Sequence, residues 1–327
     1  MLKKICVLVI FILLSCVATA QAKPKVLFIE SYHAGYAWDK EITKGLKSVF
    51  QDKVELFNFQ MDTKRLKAEY YTEQADKAWQ YYLKVKPDVV VVSDDNALML
   101  LSGRFLKTET PVVYVGINNN PRNYAPLGKN LTGVLERPLY KRTVKYLKEL
   151  LSLQNGKVLI LLDKSTTTQA FKASVFRDRE SIVISGVETD IKLLSVFDTW
   201  KSVVKRASED GYKAIVIGLY HRVFDKGLHV DSEEVLGWTS KKSPVPVFAF
   251  WEMSVGKGKA VGGMVLSGEE QGFAAAKMVM SILDGIPVNS IKPIMPAQGE
   301  FVFSQSELDR WKIRLPQYIK KQARMVE

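Results

Sequence analysis

Short apolar runs alternate along this chain with stretches whose apolar residues recur every three or four positions, a pattern that predicts strands feeding into helices. The first half offers the strands VLFIE (26–30), VELFNF (54–59), DVVVVS (88–93) and PVVYVGI (111–117). Helical stripes accompany them: Ile42, Leu46 and Val49, then Tyr71, Ala75, Trp79 and Tyr82, then Leu98, Leu101 and Phe105. The second half repeats the scheme with KVLILLD (157–163), ETDIKLL (188–194), AIVIGLY (214–220) and PVFAFWE (246–252). It opens with the clearest stripe, Tyr140, Val144, Leu147 and Leu151. Strands of nearly unbroken Val, Ile and Leu are buried on both faces, as in a parallel sheet covered by helices. The pattern predicts an α/β protein of two doubly wound, Rossmann-like lobes.

Between the halves, residues 117–138 are rich in Asn, Pro and Gly and read as a loop and crossing. After the second set, residues 260–285 hold a short strand and a long amphipathic helix, one more than the second sheet requires. That helix is expected to return to the first lobe. The lobes would then be discontinuous: 23–120 with 265–292, and 136–262 with 302–327. Residues 121–135, 263–264 and 293–301 are expected to form the hinge crossings. In the closing segment, Ser304 and Glu307 stand at capping-box spacing and predict a last helix.

The N-terminus adds a location. Lys3 and Lys4 precede an apolar run from Ile5 to Leu14, and small residues follow at Ala18, Ala20 and Ala22. Residues 1–22 therefore read as an export signal, too short for a membrane span of roughly 20 apolar residues. Leu13-Leu14-Ser15-Cys16 also has the form of a lipoprotein acylation box, apart from the large Leu14, so acylated Cys16 is the alternative start. Both cysteines, Cys6 and Cys16, lie in this segment, and cutting after Ala20 or Ala22 leaves no disulfide and no thiolate chemistry. Losing two lysines and no acid lowers the formal charge from +12 to +10. The basic residues are spread over helices and mixed with acids, which speaks against a nucleic-acid patch and leaves an anionic membrane face or partner open.

In order and spacing, SYHAGYAWDKEITKGL (31–46), SDDNALMLL (93–101), PVVYVGINN (111–119), LTGVLE (131–136) and GGMVLSGEEQG (262–272) resemble the type I periplasmic solute-binding proteins. The resemblance is to the substrate-binding proteins of ABC transporters and covers nearly the whole mature chain. It implies two lobes closing on a small molecule and, as partner, a membrane permease. Related domains also form the outer halves of some membrane histidine kinases, which keeps a sensing role open. A monomer is expected.

Ligands of open α/β sheets bind beyond the carboxyl ends of the strands. After the first strand come Ser31, Tyr32, His33, Tyr36 and Trp38, rings for stacking and polar groups for an edge. Trp38 and Tyr36 could equally staple the next helix, with Asp39 as its cap. After the third strand, Ser93, Asp94 and Asp95 begin a helix; one acid is expected to cap it and the other to face a ligand ammonium or hydroxyl. If the helix starts at Asn96, the cap is Asp95. Gly116, Asn118 and Asn119 offer close backbone approach and amides, or a plain turn. From the second half, Asp163 and Thr166 precede a helix whose amides could hold a carboxylate. Tyr220 and Trp251 would form the facing wall, and Glu252 would accept from a ligand or a hinge amide.

The three histidines, His33, His221 and His229, have no metal-ligand spacing, and no metal or cofactor is expected. Gly256-Lys257-Gly258 imitates a dinucleotide loop but precedes a strand, and no nucleophile elbow or phosphate loop is present, so the residues point to binding and not to an enzyme.

Overall fold

The computed structural model describes residues 22–33, 35–124, 130–153, 156–295 and 299–327. Nearly the whole segment read as an export signal, including Cys16, lies outside them.

Five strands build the first sheet: β1 (Lys25–Glu30), β2 (Glu55–Gln60), β3 (Val89–Ser93), β4 (Val112–Ile117) and β5 (Leu131–Leu135). They run parallel in the order β2-β1-β3-β4-β5. Side chains alternate across a strand, so the unbroken valines of β3 serve two cores. Val89 and Val91 face α1 (Ala37–Phe50), whereas Val90 and Val92 face α2 (Tyr71–Val85) and α3 (Asp94–Phe105). Residues 131–135, expected within a hinge crossing, instead extend this sheet as β5. Asn and Gly flank and interrupt their apolar run, which hides the strand in the sequence.

In the second sheet, β6 (Lys157–Leu162), β8 (Val187–Leu193), β9 (Tyr212–Ile217) and β12 (Val247–Ala249) are parallel, in the order β12-β9-β6-β8-β7. The edge strand β7 (Ser181–Ile184) runs antiparallel to β8 and was not expected, being short and largely exposed. A hairpin of β10 (Phe224–Asp225) and β11 (Leu228–His229) projects beyond β9. Helices α4 (Tyr140–Leu150), α5 (Thr166–Phe171), α6 (Phe197–Lys205) and α7 (Ser232–Lys242) cover the sheet. The core under α6 and α7 gathers Leu159, Leu161, Ile215 and Ile217 with Trp200 and Leu236.

The chain passes between the sheets after β5, again through β13 (Gly262–Val265), and finally through β14 (Glu300–Ser304). Helix α8 (Gly268–Leu283) packs on α1 against the first sheet. Their backbones nearly touch at Gly45 and Gly272, where a Cβ would stand 2.1 Å from Glu269 O and Ile42 O respectively. β13 and β14 form a small sheet with β15 (Arg324–Val326), and Ser304 Oγ accepts from the Glu307 amide to start α9 (Gln305–Trp311). Two doubly wound lobes joined by a multi-strand hinge result. In each, the strand order reverses beside its first strand, at β1/β3 and at β6/β9, and the carboxyl ends there supply the candidate site.

Candidate functional site

Ser31 follows β1 and stitches two strand ends together. Its hydroxyl donates to Ser93 O at 2.6 Å and accepts from the Ala97 amide at 2.9 Å. The second bond makes Ser31 the cap of α3, a task expected of Asp94 or Asp95. Neither acid caps the helix. Asp95 accepts from the amides of Asn118 (3.2 Å) and Asn119 (3.1 Å) and from the Tyr124 hydroxyl (2.9 Å), and so holds the loop after β4. Asn119 Oδ1 closes that turn onto Asn120 and Asn123. Asp94 adopts φ +68°, outside the helical region, and its Oδ1 takes the Tyr32 hydroxyl at 2.8 Å. Its Oδ2 is buried and has no hydrogen-bond partner among the described residues.

Around Asp94 lies a small central cavity of about 10 Å³, the space of one water. Tyr32, Tyr36 and Trp38 line it from the first lobe, and Leu219 and Trp251 from the second. Asn118 and Glu136 complete it at the hinge: Glu136 accepts from the Trp251 indole on Oε1 and from Asn118 Nδ2 at 3.0 Å on Oε2. Gly116, at φ +71°, lets β4 pass this cluster; a Cβ there would lie 3.3 Å from Trp38 Nε1 and 3.6 Å from Asp94 Oδ2.

Burial dominates the electrostatics. It raises Asp94 to about 7, against the pull of Lys64. It pushes Glu136 and Asp39 well up, and the Asp94 charge adds to both. Asp39, in the first turn of α1, accepts weakly from Ser93 Oγ at 3.4 Å and leaves Oδ2 without a donor; it does not cap α1. The buried Lys64 ammonium sits 4.2 Å from the Tyr32 ring centre and 5.3 Å from that of Tyr36, a cation–π arrangement. Aromatic rings and buried carboxylates without full donor sets suit a ligand cation.

A larger cavity of about 330 Å³ opens outward between the lobes. It brings together His33, His221 and His229 with Tyr36 and Tyr220. His221 stacks on Tyr220 at 4.5 Å and meets Tyr36 edge-on at 4.7 Å, across the two lobes. Burial drives its imidazole well below the ordinary range, so it is neutral there. Among the described residues no His, Cys, Asp and Glu group is arranged to hold a metal ion.

Other expected residues fall elsewhere. Asp163 is buried and consumed by the Ser165 and Arg222 amides, and Ser165 caps α5 by accepting from the Thr168 amide. Thr166 lines a third cavity with Lys64 and Arg222. Glu252 pairs with Arg324 at 2.7 Å beside α8 and does not reach the central cavity. Sequence reasoning missed Lys64, Glu136, His221 and Arg222 as site residues. Lys64 follows the end of β2, and His221 and Arg222 that of β9, two strands legible in the sequence; Glu136 follows β5, which is hidden there.

The family model described as "ABC transporter substrate binding protein" matches residues 62–327. No curated protein matches the chain. Among solved structures, the chain is similar to an ABC domain from Streptococcus pneumonia in complex with L-Trp: 17% identity, TM-score 0.65, covering 94% of this chain and 100% of that one. A conserved domain protein from Vibrio cholerae O1 biovar El Tor aligns at 15% identity and TM-score 0.66, over 93% and 100%. A carbohydrate transporter solute-binding protein from Agrobacterium radiobacter, in complex with D-arabinose, aligns at 11% and 0.60, over 93% and 99%. At these identities the likeness is one of fold.

Proposed function

Because the chain belongs to the family of ABC transporter substrate-binding proteins, with the two-lobed type I periplasmic binding fold, we propose that it closes on a small organic solute bearing an ammonium group and delivers it to an ABC permease. An amino acid or a similar flat polar amine is the class intended. One observation carries the reading: Asp94 Oδ2, buried between aromatic rings at the meeting of both lobes, has no donor among the described residues. A buried, unsatisfied carboxylate costs about 1–3 kcal/mol or more, which a ligand ammonium removes. The surrounding rings add cation–π attraction and a flat stacking surface. L-Trp and D-arabinose in the similar structures set the range of solutes that the fold accommodates.

In this reading the lobes are 23–120 with 265–292, extended by β5, and 136–262 with 302–327. The protein works outside the cytoplasm, released from the signal at 1–22 or anchored at Cys16, and it binds without catalysing. A thermal-shift screen of amino acids, nucleosides and sugars, followed by calorimetric titration, tests the proposal. A ligand at a hundred times its dissociation constant adds about 2.7 kcal/mol of stability. Stabilisation by sugars alone, with no effect of any amine, would remove it.

A further inference from the structure

Beside the central cavity lies the third space, of about 210 Å³, and the two share the Tyr32 side chain. Its charged lining has one sign. Lys64 comes from the segment after β2, while Lys164 and Arg222 come from the carboxyl ends of β6 and β9. Thr63, Ser165 and Thr166 also line it, and among the described residues no Asp or Glu does. Asp163, at the adjoining strand end, has both oxygens engaged by backbone amides.

Arg222 spans the lobes. Its Nη1 donates to Thr63 O (2.9 Å), Leu66 O (3.4 Å) and Tyr71 Oη (2.6 Å), all on the first lobe. Its Nε and Nη2 make no hydrogen bond among the described residues. A guanidinium with one nitrogen spent on a latch and an edge left over is shaped to take an oxyanion. Lys64 is held over two rings and forms no ion pair among the described residues, although its charge attracts Asp94.

We propose that this cavity is an oxyanion subsite, so that the solute carries a carboxylate or phosphoryl group held by Lys64, Lys164 and Arg222 in addition to the ammonium at Asp94. The proposal rests on the reading of Asp94 as the ammonium site. It accounts for three cations, brought from both lobes, around a cavity that no acid lines among the described residues. Arg222 then does two things at once: it latches the first lobe and senses the bound anion.

Calorimetric titration in phosphate-free buffer, with matched sets of compounds, tests this. Each set contains an α-amino acid, its decarboxylated amine, its 1-aminoalkylphosphonate and its N-acetyl derivative. The expected result is a set whose amino acid or aminophosphonate binds at least thirtyfold more tightly than the amine. The tighter of those two identifies the oxyanion as carboxylate or phosphoryl. Replacing the exposed Lys164 (Lys164→Gln) should weaken that compound about tenfold, leave the amine unchanged and leave the melting temperature of the free protein unaltered. An amine that binds as tightly as its parent overturns the subsite and leaves the ammonium reading standing. An N-acetyl compound that binds as tightly as its parent keeps the subsite and overturns the ammonium reading. Binding by no member of any set overturns both, and equal affinity in Lys164→Gln and the native protein overturns the subsite.

Discussion

Asp94→Asn strikes the centre of the site and moves two observables in opposite directions. Asp94 is 3% exposed, and burial lifts its carboxyl from the ordinary 3.8 to about 7. That difference corresponds to about 4 kcal/mol by which the fold disfavours the charged form. A raised carboxyl favours folding fully below about pH 4, and that contribution is lost as pH rises through about 7. At pH 8 the native protein therefore carries the whole penalty and the Asn variant carries none. Asn retains an acceptor for the Tyr32 hydroxyl, but Lys64 loses a counter-charge, which returns part of the gain. A net stabilisation of about 2 kcal/mol, or roughly 4 °C in melting temperature, is expected for the free variant at pH 8. The decline of stability between about pH 4 and 7 should also become shallower. Affinity for an ammonium ligand should fall by about 2 kcal/mol, roughly thirtyfold. Scanning calorimetry across pH and titration at pH 8 read both. A variant that melts no higher than the native protein at pH 8, with unchanged affinity, would refute the assignment of Asp94 as an incompletely compensated buried charge awaiting a cation.

Further outcomes follow from the same geometry. In the native protein, binding of an ammonium ligand should strengthen as pH rises through about 7, because Asp94 must be charged to receive it; a flat titration profile between pH 6 and 8 would speak against this. Gly272→Ala places a Cβ 2.1 Å from Ile42 O and should destabilise by about 1–3 kcal/mol in urea unfolding, whereas Gly103→Ala, in α3 with no atom within 4 Å, should stabilise by about 0.5–1 kcal/mol. Ser31→Ala removes the cap of α3 and a bond to Ser93 O and should cost about 2 kcal/mol. Asp95→Ala should release the loop after β4, seen as faster hydrogen exchange at the Asn118 and Asn119 amides.

The strands with unbroken Val, Ile and Leu were legible because burial on both faces leaves no other composition for them. β5 and β7 were not: Gly133 interrupts β5 where it lies against Tyr114, and β7 is a half-exposed antiparallel edge that needs no continuous apolar run. Within the site, the rule that ligands gather at strand ends placed Tyr32, Asp94 and Trp251 in one cavity. It failed on Lys64, since lysine is ordinarily a surface residue and only the paired rings of Tyr32 and Tyr36 explain its burial. The division of labour between Asp94 and Asp95 was also closed to sequence reasoning. The cap of α3 comes from Ser31, 66 positions before the amide it serves, and no local pattern signals a cap delivered from another strand.

The bond between Trp251 and Glu136 bears on how the molecule moves. Glu136 lies in the passage that leaves β5, and Trp251 in the passage that leaves β12, where its backbone bridges to Leu266. Two separate connections are thus pinned to each other by side chains at the pivot, and Asn118 fastens the same carboxylate to the end of β4. Independent threads would allow the halves to shear or twist past one another. In the proposed closing motion, threads tied at one knot act as a single axle, so that one swing is expected and the walls of the cavity travel through the same arc.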